Sequence, residues 1–142
     1  MATLNLYFDG GNEKEIAAWA VVGIVEQTVI AKLTGLCDYR LPQTNNIAEW
    51  SALYHAILFA YTEKDNYDEI VIMGDSELVV KQIRGEYAVG KEHLKPFFKK
   101  SRAILDKIEK PCKIQWIPRE NNKLADSLGR TLRELDKRLK GR

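Results

Sequence analysis

The sequence predicts an α/β domain in which a mixed β-sheet carries helices on its faces. Three strand-like segments come first, and helices that alternate with two more strands follow them, which is the order expected of such a sheet. The chain has 142 residues, 45% of them hydrophobic, and this is enough for one buried core. We therefore expect a single domain over residues 1–142.

The first three predicted strands follow one another closely. Residues 3–9 alternate apolar and polar side chains, and the glycines and asparagine at 10–12 predict a turn that ends this strand. Residues 16–25 and 28–36 are rich in β-forming side chains. The two residues between them are short enough for a hairpin, so the second and third strands are expected to pair.

A helix is predicted over residues 44–61, where apolar side chains recur at spacings of three and four. Asn45 or Asn46 can cap it, and Glu49 then falls in its first turn. The small alanines around Glu49 leave room near its carboxylate.

The second half of the chain predicts helices that alternate with strands. These elements are a strand over 69–73, a helix through 78–83 that stops at Gly85, a helix over 94–108, a strand over 112–117 and a helix over 122–140. The last helix carries leucines along one side, at Leu124, Leu128, Leu132, Leu135 and Leu139. Tryptophans 19, 50 and 116 occupy apolar positions, and we expect all three in the core.

Charge divides the chain into two unlike halves. Residues 1–80 hold four basic and twelve acidic side chains, whereas residues 81–142 hold eighteen basic and eight acidic ones. Such asymmetry indicates an anionic partner, often a nucleic acid. A solvated, lysine-rich helical surface would give the same counts, so charge alone leaves both interpretations open.

Several classes of protein are not expected from this sequence. No apolar run approaches the roughly 20 residues that cross a bilayer, and the N-terminus lacks the features of a signal peptide. We therefore expect a cytoplasmic protein without a membrane partner. Cys37 and Cys112 are isolated, so neither a disulfide framework nor a thiolate zinc site is expected.

Four carboxylates stand at the ends of predicted elements. Asp9 ends the first strand and Asp75 follows the fourth, where functional groups of α/β sheets gather, while Glu49 and Asp126 lie on helices. Clustered carboxylates repel one another unless a cation neutralises them, and their hard oxygens select Mg²⁺ or Mn²⁺. Two such ions about 3.5–4 Å apart can clamp the attacking and leaving oxygens of a phosphodiester displacement. Taken singly, each of these acids also has an ordinary structural interpretation. It could be a turn residue, a helix cap, a first-turn acid that the helix dipole favours, or an exposed surface residue.

The motifs around these acids occur in a recognisable order. They are FDGG at Asp9, TNNIAEW at Glu49, GDSELVVKQI at Asp75 and RENNKLADSL at Asp126. From residue 3 to about residue 135 the chain resembles the type 1 ribonuclease H family. The resemblance implies a five-stranded, ribonuclease H-like sheet in the order 3-2-1-4-5, with the second strand antiparallel to its neighbours. It also implies a metal-dependent endonuclease that hydrolyses the RNA strand of RNA–DNA hybrids to 3′-OH and 5′-phosphate ends.

The resemblance implies that the same four acids are both catalytic and metal-binding. Asp9 would bridge two Mg²⁺ ions, for which Mn²⁺ is an alternative. Asp126 would help to hold the ion that activates the attacking water. Glu49 and Asp75 would hold the ion near the leaving 3′ oxygen.

Substrate contacts are expected from polar residues near these acids. They are Asn12, Thr44, Asn45, Asn46, Ser76 and Arg119. Amides and hydroxyls can donate to and accept from the ribose 2′-OH, which separates RNA from DNA. Thr44 and Ser76 also fit the role of helix caps, and both roles stay open.

The chain departs from the family in ways that bear on function. Many members carry a histidine in the loop before the last helix, whereas residues 118–122 contain none. Arg119 could approach a phosphate there, but an arginine cannot shuttle protons at neutral pH. The stretch between Gly85 and Cys112 is short for a full basic protrusion, so a reduced one is expected. A non-catalytic hybrid-binding module and a nuclease on double-stranded RNA are the alternatives, and a monomer is the expected state.

Overall fold

The computed structural model describes residues 2–140, and its elements follow the expected order. They are β1 (Thr3–Glu13), β2 (Ile16–Val25), β3 (Thr28–Leu36), α1 (Asn45–Glu63), β4 (Glu69–Gly74), α2 (Glu77–Ile83), α3 (Lys95–Leu105), β5 (Cys112–Trp116) and α4 (Lys123–Leu139). One sheet contains all five strands in the order β3-β2-β1-β4-β5. β2 is antiparallel to β1 and β3, whereas β1, β4 and β5 run parallel. The predicted fold class and strand order are confirmed.

The first strand is longer than the sequence pattern indicates. The prediction that residues 10–12 form a turn is wrong, because β1 continues to Glu13 and stays in register with β2, pairing Gly10 with Trp19 and Asn12 with Ala17. The turn comes later, at Lys14-Glu15, where both residues have positive φ. The hairpin between β2 and β3 lies where it was predicted, and its two turn residues also have positive φ, as primed turns require.

The main core lies between one face of the sheet and α1. Leu4, Leu6 and Phe8 alternate inward along β1 and are at most 1% exposed. Trp50 of α1 is wholly buried, and its Nε1 donates a hydrogen bond to Oε1 of Gln82 at 3.0 Å, which joins α1 to α2. This apolar packing holds α1 rigidly against the carboxyl end of β1.

The start of α1 differs from the prediction. Neither Asn45 nor Asn46 caps the helix, because Thr44 is the N-cap and its hydroxyl accepts a hydrogen bond from the Ile47 backbone N–H at 3.2 Å. Glu49 consequently lies beyond the first turn. Threonine accepts well at an N-cap, and the sequence left this role open for Thr44.

The last helix, α4, packs on the other face of the sheet through small residues. Ala125 and Gly129 are buried, and Ala125 packs on Ala20 and Val22 of β2. Leu124 and Leu135 are about half exposed, at 51% and 50%. Of the leucines along this helix, Leu128 packs against the same cluster, and the small residues let the helix lie close to the strands.

Two further differences concern the second half of the chain. Leu94 lies in a short 3₁₀ turn before α3, and α3 ends at Leu105 rather than at residue 108. Trp116 ends β5 and is 48% exposed, so its expected place in the core is wrong. Between residues 2 and 140, no helix is both long and apolar enough to span a bilayer.

Candidate active site

Asp9 and Asp75 come together where the pairing between the parallel strands β1 and β4 ends. Phe8 of β1 is in register with Gly74 of β4, so the residues that follow both emerge at the same edge of the sheet. The charge of Asp75 helps to raise the pKa of Asp9, as expected of adjacent carboxylates. The strand ends supply two of the four predicted acids.

Glu49 reaches this edge because α1 lies against the backbone of β1. A Cβ atom at Gly10 would overlap the carbonyl group of Ala48, the residue before Glu49. Only glycine permits this close approach. The glycine that follows Asp9 therefore sets the distance between the first strand and the helix that carries Glu49.

Asp126 is positioned by a buried polar link between α4 and β1. Asn122 is 1% exposed, and its Nδ2 donates a hydrogen bond to the carbonyl oxygen of Phe8 at 2.8 Å. This bond attaches the start of α4 to the residue before Asp9. Sequence reasoning missed Asn122, although an asparagine at the start of a predicted helix was a visible signal.

Hydrogen bonds from neighbouring side chains hold two of the acids in place. Ser76 donates from Oγ to Oε2 of Glu49 at 2.6 Å, and the same hydroxyl caps α2 by accepting from the Val79 N–H at 3.4 Å. Arg130, one turn after Asp126 on α4, forms an ion pair with it at 2.8 Å. Each contact restrains the carboxylate that it binds.

The charged neighbours that shift the pKa of Asp9 are both negative. Burial and then the charges of Asp75 and Asp126 raise the pKa of Asp9 to about 8. Burial also raises the pKa of Glu49, although the hydrogen bond from Ser76 offsets part of this effect. A cation among these carboxylates would remove the repulsion.

A divalent cation fits the donors that this edge presents. All four acids line one cavity of about 370 Å³, and they offer only hard carboxylate oxygens, the ligands of Mg²⁺ and Mn²⁺. In their present rotamers, no three His, Cys, Asp or Glu side chains of the described part of the chain are close enough to hold an ion. Ion binding would thus require the carboxylates to rotate towards the shared cavity.

The structure brings half of the predicted substrate-binding residues to this cavity. Asn12, Asn45 and Arg119 line it, and the Asn12 backbone N–H donates to Oδ1 of Asn45 at 3.2 Å. Thr44, Asn46 and Ser76 do not line it. Thr44 and Ser76 cap helices instead, and their predicted contacts with substrate stay predictions.

Three more residues at the site were missed by sequence reasoning. Arg130 and Arg133 line the cavity from α4, where they follow Asp126 by four and seven residues and so share its face of the helix. That spacing was a signal in the sequence. Trp116 donates from Nε1 to the backbone oxygen of Asp75 at 3.2 Å, a contact that only the pairing of β4 with β5 creates.

Comparison with known proteins identifies the family. The model of a family described as reverse transcriptase-like matches residues 8–131. The chain belongs to this family. Solved structures of ribonuclease H proteins are similar to it over most of its length, which confirms the predicted resemblance to type 1 ribonuclease H.

Two solved structures illustrate the likeness. Ribonuclease H1 of the archaeon Halobacterium salinarum is 28% identical, with a TM-score of 0.77 over 90% of this chain and 95% of that one. LC11 ribonuclease H1, in a complex with an RNA–DNA hybrid, is 30% identical, with a TM-score of 0.75 over 88% of this chain and 92% of that one.

Two curated relatives match this chain over only part of their own length. The uncharacterised protein YpeP of Bacillus subtilis is 30% identical over 133 residues, which are 91% of this chain and 58% of YpeP. The putative hydrolase EbsB of Enterococcus faecalis is 31% identical over 61% of this chain and 63% of EbsB. The chain thus spans about three fifths of these relatives.

Proposed function

We propose that the protein is an endonuclease that hydrolyses the RNA strand of RNA–DNA hybrids and leaves 3′-OH and 5′-phosphate ends. The observation that carries this proposal is the convergence of Asp9, Glu49, Asp75 and Asp126 on one cavity at the edge of the sheet. The similarity to a ribonuclease H1 whose structure contains such a hybrid supports the choice of substrate. A pure binding module would gain nothing from a cluster of acids that repel one another.

The four carboxylates would hold two divalent cations, Mg²⁺ or Mn²⁺, and Asp9 has the central place among them. When bound, such ions supply an activated water and offset charge on the scissile phosphate. The chain's own contribution is to hold the carboxylates ready. Ser76 fixes the Glu49 carboxylate through its hydroxyl, and Trp116 anchors the backbone of Asp75.

Residues at the rim would bind and orient the nucleic acid. The guanidinium of Arg119 is permanently charged. It can therefore contact a phosphate, but it cannot take up the proton of the attacking water. Asn12 and Asn45 present amides that can pair with a ribose 2′-OH. Phosphate contacts position the duplex, whereas contacts with the ribose select RNA.

A panel of labelled duplexes tests the proposal. RNA–DNA hybrid, double-stranded RNA and double-stranded DNA are incubated with Mg²⁺, Mn²⁺ or EDTA, and the product ends are analysed. We expect cleavage of the RNA strand of the hybrid, with 3′-OH ends, only when a divalent ion is present. Binding of the hybrid without cleavage would instead identify a non-catalytic module. Equal cleavage of double-stranded RNA would identify a nuclease with another substrate. The monomeric state and the cytoplasmic location stay predictions.

A further inference from the structure

One arginine at the cavity, Arg133, has a buried side-chain nitrogen without a hydrogen-bond partner among the described residues. The Nε atom of Arg133 is buried, and it makes no hydrogen bond with any residue between 2 and 140. Nearly all buried polar groups in proteins are paired, and a charged one without a partner is costly. The neighbouring Arg130 differs, because it is paired with Asp126 at 2.8 Å.

The backbone of β1 makes room for this side chain. A Cβ atom at Gly11 would lie 2.9 Å from one terminal nitrogen of the Arg133 guanidinium and 3.4 Å from its Cζ. Since Gly11 has no side chain, the guanidinium lies over the strand, two residues beyond Asp9. Gly11 thus cradles the group within the cavity that the four acids line.

The alternative role, as a counter-ion of the acids, is not supported by their electrostatics. The neighbouring charges that act on Asp9 are those of Asp75 and Asp126, and both raise its pKa. Of the four acids, only Asp126 has an arginine partner among the described residues, and that partner is Arg130. Arg133 therefore has a charge to offer to an anion from outside the protein.

The chemistry of the group defines the anion. A guanidinium is planar and always charged, and its donors match two oxygens of one phosphate. Arg133 lines the same cavity as the four acids, which act on the RNA strand in the proposed function, so the anion is a phosphate of that strand.

We propose that Arg133, seated over Gly11, is a phosphate subsite that binds an RNA-strand phosphodiester beside the one that is cleaved. This inference rests on the proposed function, because it takes an RNA–DNA hybrid as the ligand. It adds a second contact to the strand, at a position that Arg119 and Arg130 do not occupy.

Binding of a labelled RNA–DNA hybrid over a salt series tests the subsite. Ca²⁺ replaces Mg²⁺, and a gel verifies that the RNA strand stays intact. Arg133→Gln should weaken binding about tenfold, as expected for a charge-assisted contact, and should reduce the slope of log affinity against log salt by roughly one. Arg133→Lys should restore the slope but only part of the affinity, because an ammonium cannot bind two oxygens side by side.

Two further variants separate a lost contact from a lost charge or a lost fold. Gly11→Ala keeps the charge but displaces the guanidinium, which is flexible enough to move, so it should weaken binding to a similar extent. Arg138→Gln is the matched control, because Arg138 lies on the same helix, has a side chain that is 77% exposed and pairs with Glu134 rather than with the site. This control should bind like the wild type. Melting temperatures verify that each variant is folded.

The outcomes distinguish the subsite from the proposed function. If Arg133→Gln and Gly11→Ala both bind the hybrid as tightly as Arg138→Gln does, the subsite is wrong, even if the wild type cleaves the hybrid in Mg²⁺. If these variants bind weakly while the wild type cleaves nothing, the subsite stands and the nuclease function is wrong. If the wild type does not bind the hybrid, both are wrong.

Discussion

Helices α1 and α4 contribute one acid each to the same cavity, but they are held in different ways. α1 is packed into the main core, where Ile47, Trp50 and Leu53 are wholly buried. α4 rests on a small apolar cluster around Ala125 and depends on polar links such as the bond from Asn122 to the Phe8 carbonyl. Regions with few buried apolar contacts open more readily. We infer that Glu49 is rigid, whereas Asp126 can adjust to its ligands.

The largest effect on activity is expected from substitutions of Asp9 and Asp75. Asp9→Asn or Asp75→Asn should reduce hybrid cleavage at least about 10³-fold, because each removes charge that a divalent ion needs. Initial rates in Mg²⁺ measure this loss, and circular dichroism verifies the fold.

Glu77→Gln is the matched control for these variants. Glu77 is an exposed acid of α2 that pairs with Lys81 at 2.9 Å, and it does not line the cavity. This variant should cleave the hybrid at the wild-type rate. Near wild-type turnover by Asp9→Asn or Asp75→Asn would show that the four-acid site is wrong.

A smaller effect should separate the two helices directly. Asn122→Ala leaves the buried Phe8 carbonyl without its donor, which costs about 1–3 kcal/mol and loosens the start of α4. Turnover should fall roughly 10- to 100-fold, and amide hydrogen exchange should accelerate in α4 but not in α1.

Asn121→Ala, at the exposed neighbouring position, controls for the loss of an asparagine. It should change neither turnover nor exchange. If amide exchange in Asn122→Ala accelerated equally in α1 and α4, the hydrogen bond from Asn122 would not hold α4 specifically, and the proposed difference between the two helices would be wrong.

Arg119 should have a moderate effect on rate. It stands in the loop before α4, where it lines the cavity, and its guanidinium cannot exchange a proton at neutral pH. Arg119→Ala should lower turnover about tenfold, and the pH–rate profile should show no lost titration near 6.5, the ordinary histidine pKa. Arg119→Lys, which keeps the charge, should recover part of the rate. A complete loss of activity would mean that Arg119 anchors the substrate or orders the site.

The smallest effect concerns stability without metal. The folded protein keeps a proton on Asp9 up to about pH 8, whereas the unfolded chain releases it near pH 4, so stability should fall as pH rises between these values. Asp9→Asn removes this loss of stability, so it should raise the free energy of unfolding at pH 8 by about 1–2 kcal/mol. The gain is smaller than the shift in pKa alone would give, because water at the cavity screens the charges.

Melting curves in EDTA near pH 4.5 and pH 8 measure this difference between the wild type and Asp9→Asn. At the lower pH only the first part of this loss has occurred, so the two proteins should differ much less in melting temperature than at pH 8. Burial lowers the pKa of His55, which should destabilise both proteins equally in acid and so cancels in the comparison. Equal melting temperatures at pH 8 would show that the acids do not repel one another in the folded state.

The sequence by itself determined the elements with strong local patterns. Residues 16–25 and 28–36 form strands with the predicted bounds, because β-branched and apolar side chains continue up to a two-residue turn. The spacing of apolar residues correctly predicted α1, whose start differs by one residue and whose end differs by two. The order of the four acids and their motifs sufficed to predict the fold and the cavity that they share.

Only the tertiary structure decided which surfaces and partners those elements acquire. Local patterns show a period, but they do not show what packs on each face, so the sequence did not indicate that Ala125 and Gly129 are the buried residues of α4. Pairing with β2 carried β1 through glycines that looked like a turn. Arg130 and Arg133 lie on the same helix, yet of the two it is Arg130 that forms a salt bridge with an acid among residues 2–140. Burial and hydrogen bonding depend on residues distant in the chain, and these contacts exist only once the sheet has assembled.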